Sequence, residues 1–222
     1  MKVVITGTSC GMGQSAALKF LREGHDVIGI DTLGPDPDVS NYPKYTHYIV
    51  SVEDYDELPD IEDVNILINN AGVQGSGRDI DINLKGMMNC TKKYALHNPS
   101  IVSVLNQADV AASTGAHIGE YVASKGGIVA YTKWIAKEIA PYGGTCNSIS
   151  FGGVLTEANH PVMSKPELWD KIMQQTPLRR WTTSQETAEW IYFLTVINRS
   201  CSGQDIVVEN LESLNNQFIW TY

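Results

Sequence analysis

No run of apolar residues in this 222-residue chain approaches the roughly 20 that a membrane helix needs, so no membrane partner is expected. No secretory leader is expected either. Met1-Lys2-Val3-Val4-Ile5-Thr6-Gly7 has the pattern of a strand entering a glycine turn, which points to a cytoplasmic protein. Basic residues are scarce and scattered, 16 Lys and Arg against 25 Asp and Glu, and a formal charge of -9 speaks against a nucleic acid partner. The four cysteines, Cys10, Cys90, Cys146 and Cys201, form no CxxC pair. They suggest neither a metal site nor a disulfide framework, and are expected as buried reduced thiols.

What is present is enough for one core: 43% of the residues are hydrophobic, and a single domain commonly extends to about 250 residues. Short β-branched runs alternate with segments of helical spacing. Strands are expected at Lys2 to Ile5, Asp26 to Ile30, Thr46 to Val50, Asn65 to Ile68, Ser100 to Leu105, Thr145 to Ser150 and Asp205 to Val208. Helices are expected from Met12 to Glu23, Asp79 to His97, Gly119 to Ala140, Pro166 to Gln175 and Ser184 to Ile197. This alternation predicts an α/β domain with a doubly wound, mostly parallel sheet. The longest excursion, residues 151–183, follows a strand's carboxyl end, where substrate lids are found in open α/β sheets.

Thr6-Gly7-Thr8-Ser9-Cys10-Gly11-Met12-Gly13 lies between the first strand and the first helix. Glycines there let the backbone turn tightly and approach a pyrophosphate, which then meets the unpaired N–H groups and positive dipole end of the helix. Gly7, Ser9, Cys10, Gly11, Met12 and Gly13 are therefore candidate cofactor contacts. Asp31 ends the second strand, where a carboxylate can accept hydrogen bonds from a ribose diol and would repel a 2'-phosphate. NAD is the cofactor this favours. Asn70, Ala71 and Gly72 end the fourth strand and leave room for a flat ligand, although alone they fit a simple Asx turn.

Tyr121 and Lys125 are four residues apart on one helical face. A phenol with a pKa of about 10 is a poor acid or base near neutrality, and an adjacent ammonium would lower it. Here the chain resembles the short-chain dehydrogenase/reductase family along nearly its whole length. The resemblance rests on Thr6-Gly7-xxx-Gly11-x-Gly13, Asn69-Asn70-Ala71-Gly72, Asn83, Tyr121-xxx-Lys125, Gly152-Gly153-Val154-Leu155-Thr156 and Ser202-Gly203-Gln204. It implies a Rossmann-type sheet of about seven strands and hydride transfer to or from a nicotinamide. Tyr121 would be the acid/base, Lys125 would bind the nicotinamide ribose, and Asn83 would help to hold a relay water. Val154 and Thr156 would lie at the nicotinamide.

Three departures from the family pattern stand out. Aligning Ile101 to Leu105 with the family's fifth strand puts Asn106 where a catalytic serine is usual, while counting thirteen residues back from Tyr121 gives Ala108. An amide at Asn106 can still donate to a carbonyl oxygen, so it is the candidate third member of the site. Only ten residues separate Gly72 from Asn83, which trims one wall of the substrate site. Phe151 and Ser51 replace a proline and an aspartate common in the family.

The expected activity is an NAD-dependent interconversion of a secondary alcohol and its ketone. A non-catalytic NAD-binding sensor or interaction subunit is the alternative, and an epimerase or dehydratase that retains its NAD is a third reading. His160, Pro161, Met163, Trp169, Met173 and Trp181 make the excursion apolar and aromatic, fitting an apolar or ring-shaped substrate or simple packing on the protein. His117 is placed to reach the pocket mouth. Val207, Val208, Leu211, Leu214, Phe218, Ile219 and Trp220 make an apolar C-terminal end, and a homodimer or homotetramer is expected.

Overall fold

A computed structural model describes residues 1–116 and 118–214. His117, Phe218, Ile219 and Trp220 lie outside the described residues.

In chain order the first elements are β1 (Lys2–Thr6), α1 (Gly11–Arg22), β2 (Asp26–Asp31), α2 (Pro37–Ser40), β3 (Tyr45–Ile49) and β4 (Ile66–Asn69). A π-helical segment, Ile80–Gly86, then runs into α3 (Met87–Tyr94), followed by β5 (Ser103–Gln107), α4 (Ala111–Thr114), α5 (Gly119–Ile139) and β6 (Thr145–Phe151). The excursion comprises β7 (Val154–Leu155), α6 (His160–Met163), α7 (Pro166–Gln175) and β8 (Thr182–Thr183). It leads into α8 (Ser184–Tyr192), a second π-helical segment (Phe193–Ile197) and β9 (Asp205–Val208).

Seven strands form one parallel sheet in the order β3-β2-β1-β4-β5-β6-β9. The central strands read as apolar runs because both faces are covered. Alternate residues serve separate cores: Val4, Leu67 and Val104 meet Tyr94, Ile128, Ile135 and Ile139 on one side. Val3, Ile5, Ile66, Ile68 and Leu105 meet Ala16, Phe20, Ile191 and Leu194 on the other. The order reverses between β1 and β4, so a crevice opens at their carboxyl ends, where open α/β sheets bind ligands.

Helix α1 buries the expected stripe of Ala16, Ala17, Phe20 and Leu21. The long α5 gives way to a 3-10 turn, Ala140–Tyr142, with Pro141 in its first turn and left-handed Gly143 (φ 76°) at its end. Two expectations need revision. β5 runs from Ser103 to Gln107 rather than from Ser100 to Leu105, because Asn98 holds residues 98–101 in a turn through Ser100 N to Asn98 Oδ1 (2.9 Å) and Ile101 N to Asn98 O (3.2 Å). The cysteines also divide: Cys90 and Cys146 are buried, but Cys10 is exposed and Cys201 half-buried, all four being free thiols.

Candidate active site

The glycine turn is built to be tight. Gly7 and Gly11 take positive φ (74° and 59°), and a Cβ on Gly13 would run into the Gly7 carbonyl and Asn70 Nδ2. Asn70 ties the end of β4 to this turn, its Nδ2 donating to Thr6 O (2.9 Å) and Gly7 O (3.0 Å). Thr6 Oγ1 accepts from the Asn70 and Ala71 N–H groups, both at 3.0 Å. The start of α1 has no side-chain cap from Cys10 and no acid in its first turn. Its N–H groups are left for a ligand, and an anion is what a helix N-terminus favours. Ser9, Cys10 and Met12 belong to this turn. Burial first, then Asp31 and Glu157, raises the Cys10 thiol, so it stays protonated near neutrality.

Asp31 sits at the end of β2 with each carboxylate oxygen holding one backbone N–H, Oδ2 from Ser9 (2.9 Å) and Oδ1 from Leu33 (3.0 Å). A carboxylate oxygen has lone pairs for a second donor, so a ribose diol remains within its capacity. Beside it, Thr8 Oγ1, Tyr45 Oη, His47 and Leu33 O form a hydrogen-bonded chain, for which Gly29 leaves the space. Thr156 closes the other side of the turn, its Cγ2 lying 3.6 Å from where a Gly11 Cβ would be. Val154, next to it, is buried in β7. These residues fit a dinucleotide.

Tyr121 and Lys125 lie buried on the same face of α5. Lys125 Nζ donates to Gln107 O at 3.0 Å, which anchors it at the carboxyl end of β5, and lies 5.5 Å from the Tyr121 ring centroid. Gly72 faces both this lysine and Asn83: a Cβ there would be 3.8 Å from Lys125 Nζ and 3.1 Å from Asn83 Oδ1. Tyr121 Oη donates to Asp109 Oδ2 at 2.9 Å. Asp109 Oδ1 accepts from Ala111 N at 2.7 Å, so the start of α4 aims the carboxylate.

The family model described as Enoyl-(Acyl carrier protein) reductase matches residues 60–210. The chain belongs to the short-chain dehydrogenase/reductase family. A 3-oxoacyl-(acyl-carrier-protein) reductase FabG of Thermotoga maritima is 28% identical over 93% of this chain and 95% of its own. Among solved structures, a 4-hydroxyisoleucine dehydrogenase complexed with NADH matches with a TM-score of 0.84 and 21% identity, over 97% of this chain and 99% of that one. ElxO with NADP bound matches with a TM-score of 0.85 and 23% identity, over 96% and 98%. This short-chain dehydrogenase/reductase is thus an oxidoreductase of nucleotide-binding Rossmann type.

Within that frame one residue expected at the chemistry lies elsewhere. Asn106 is fully buried on the α3/α5 side of the sheet, where Oδ1 accepts from Asn69 Nδ2 (2.8 Å) and Nδ2 donates to Thr132 Oγ1 (2.9 Å). Its amide is spent in the core, not beside Tyr121. Ala108 is buried too, its N–H held by Ile149 O at 2.9 Å. A polar group that does reach Tyr121 is Asp109. The strand continues to Gln107, so Asn106 lies within it and the loop carrying Asp109 follows its end. Asp109 carried a signal in the sequence, as a carboxylate twelve residues before a tyrosine, but only strand register could select it over Asn106.

Asn83 also departs from its expected part. Its Oδ1 accepts from Val73 N (2.7 Å) while its Nδ2 donates to Val73 O (2.9 Å) and Ser124 Oγ (3.1 Å). The amide therefore fastens the loop after β4 to α5 and has no second Nδ2 hydrogen left for a water. Asp79 staples the same short loop, accepting from Gly75 N (2.8 Å) and Ser76 N (3.0 Å).

The electrostatics differ from a tyrosine activated by lysine alone. Burial raises the Tyr121 phenol well above its ordinary value, and the charge and hydrogen bond of Asp109 raise it further. Burial brings the Lys125 ammonium down to about 8, against the opposing pull of Asp109. Tyr121 is held as a neutral phenol. In the excursion, Trp181 lies over Gly153, and Trp169 meets it edge-on with centroids 5.0 Å apart. These two rings pack on the protein, while α7 buries no residue completely.

Proposed function

We propose that this enzyme uses NAD to interconvert a secondary alcohol and its ketone, with Tyr121 giving or taking the proton of the reacting oxygen. The observation that carries this reading is the convergence of Tyr121 and Lys125 at the carboxyl end of β5, beside the uncapped start of α1. A bound nicotinamide supplies the hydride chemistry. The chain's own residues do the rest: Gly7, Gly11 and Gly13 admit the pyrophosphate, Asp31 meets the ribose diol, and Lys125 orients the nicotinamide ribose. Asp31 supports NAD over its 2'-phosphorylated form because a carboxylate and a phosphate repel. The ketone in the name of the Thermotoga relative's substrate falls within this class.

Residues 151–183 form the substrate cover in this reading, clamped at their base by the β7–β8 pair. A homodimer or homotetramer fits the stacked Tyr131–Trp134 pair on α5 and the half-exposed Val207 on edge strand β9. A cytoplasmic setting fits the four free thiols. Among the described residues no helix is long and apolar enough to cross a membrane.

The test is to measure NADH binding by fluorescence and turnover on a panel of alcohols and ketones, for the wild type and Tyr121→Phe. Equal NADH binding with turnover lowered by about 100-fold or more in the variant is the expected result. Tight binding with no turnover of any panel member by the wild type would favour the non-catalytic alternative.

A further inference from the structure

The Asp31 carboxylate can select a cofactor only as far as its position is fixed, and the turn that carries it is not held by burial. Leu33, two residues on, is 63% exposed. Polar contacts fasten this turn instead: Leu33 N donates to Asp31 Oδ1 (3.0 Å), and Leu33 O accepts from Ser9 Oγ (3.2 Å) and pairs with His47 Nε2 (2.8 Å). A carbonyl only accepts, so His47 Nε2 is the donor. In a neutral imidazole Nδ1 is then the acceptor, and Tyr45 Oη donates to it at 2.7 Å. Tyr45 Oη accepts in turn from Thr8 Oγ1 (2.9 Å), the hydroxyl of a fully buried residue in the glycine turn. Burial raises the Tyr45 phenol, which keeps its proton in place for this. The hydrogen bonds thus run one way, from the glycine turn through β3 to Leu33.

A second observation shows that β2 makes room for this chain. Tyr45 and His47 share one face of β3, and to reach Thr8 the phenol crosses β2 at Gly29, where an added Cβ would run into Tyr45 Oη and Thr8 Oγ1. Gly29 has ordinary strand backbone, so space rather than conformation calls for glycine there. We propose that Tyr45 and His47 are positioning residues for cofactor selection: through Leu33 they hold the Asp31 carboxylate where it accepts from a ribose diol and repels a 2'-phosphate. The inference rests on the NAD reading above and names what keeps its selecting group in place.

Tyr45→Phe keeps the ring and removes the hydroxyl that joins Thr8 to His47. The turn at residues 31–33 can then swing outward with its carboxylate. NADH loses a fixed acceptor and NADPH loses a repulsion, so the ratio of their affinities changes, whereas a general loosening of the fold weakens both together. Fluorescence titration of each reduced cofactor into wild type and variant reads this ratio, with far-UV circular dichroism confirming the fold. The preference for NADH is expected to fall about fivefold or more, the scale of one hydrogen bond. An unchanged ratio, including equal weakening of both cofactors, overturns the proposal.

A second arm needs no cofactor and no change at Tyr45. In wild-type protein labelled with 15N-histidine and held in mildly alkaline solution, the His47 ring, assigned by the loss of its signals in His47→Gln, should show a single tautomer with the proton on Nε2. A proton on Nδ1, or a mixture of the two tautomers, sinks the chain and the proposal with it. A wild type that binds NADPH as tightly as NADH defeats the NAD reading and this inference together. A preference for NADH that survives intact in Tyr45→Phe defeats this inference alone.

Discussion

In the proposed reading, cofactor choice turns on Asp31. Two backbone N–H groups position its carboxylate at the end of β2, so its charge sits at a fixed place rather than on a mobile rotamer. Asp31→Ala removes the repulsion that a 2'-phosphate would meet, and discrimination against NADP should fall by about tenfold or more, a repulsion of roughly 1.4 kcal/mol. Titration of both reduced cofactors into wild type and variant checks this; an unchanged ratio would remove Asp31 from the specificity argument. The same scale holds the difference between Asn106 and Asp109. Both are short polar residues near the end of one strand, and their chemistry in isolation favours either. A strand alternates its side chains between faces, and Asn106 falls on the same face as Val104 and Ala108, toward α5, where its amide is used in the core.

At the scale of elements, the two helices α1 and α8 pack against each other but begin differently. Helix α1 leaves its first turn uncapped, a cost accepted where a ligand supplies the missing acceptors. Helix α8 has a complete capping box: Thr183 and Glu186 exchange hydrogen bonds between side chain and backbone. Thr183→Ala should cost about 1 kcal/mol, lowering the thermal midpoint by about 2–4 °C for a chain of this size. Scanning calorimetry measures it. Glu186 is brought down to about 2, first by its hydrogen bonds from Arg180 and then by Thr183 N. A depressed carboxyl contributes its stability above the ordinary value of about 4.3 and loses it as pH falls toward the folded one. The Thr183→Ala deficit should accordingly be the same at pH 7 and pH 5. Helix periodicity and the Thr-x-x-Glu spacing make α8 readable from residues alone. The short α4 was not, because four residues carry no period and its start is set by the Asp109 turn.

On the scale of the whole molecule, the seven-stranded sheet leaves β9 at one edge, and among the described residues α5 exposes Lys133, Trp134, Lys137 and Glu138. Trp134 is 42% exposed and stacks on Tyr131, a large apolar surface at the middle of the longest helix. If that face pairs two copies, Trp134→Glu places a charge in the joint and should shift the wild-type dimer or tetramer to a smaller species. Light scattering after size exclusion reads the mass directly. A wild type that is already monomeric would remove this face from the assembly.

The linear chain by itself determined the α/β class, the order of the strands along it, the glycine turn, the place of Asp31 at the end of β2 and the shared helix face of Tyr121 and Lys125. Each depends on neighbours within a few residues: an apolar run, a turn that needs positive φ, or a four-residue helical spacing. Tertiary structure alone decided that Asn106 belongs to the core, that the Asn83 amide ties a loop, and that Asp109 meets Tyr121. Those outcomes depend on register between segments distant in sequence, where a shift of one residue in a strand sends a side chain to the opposite face of the sheet.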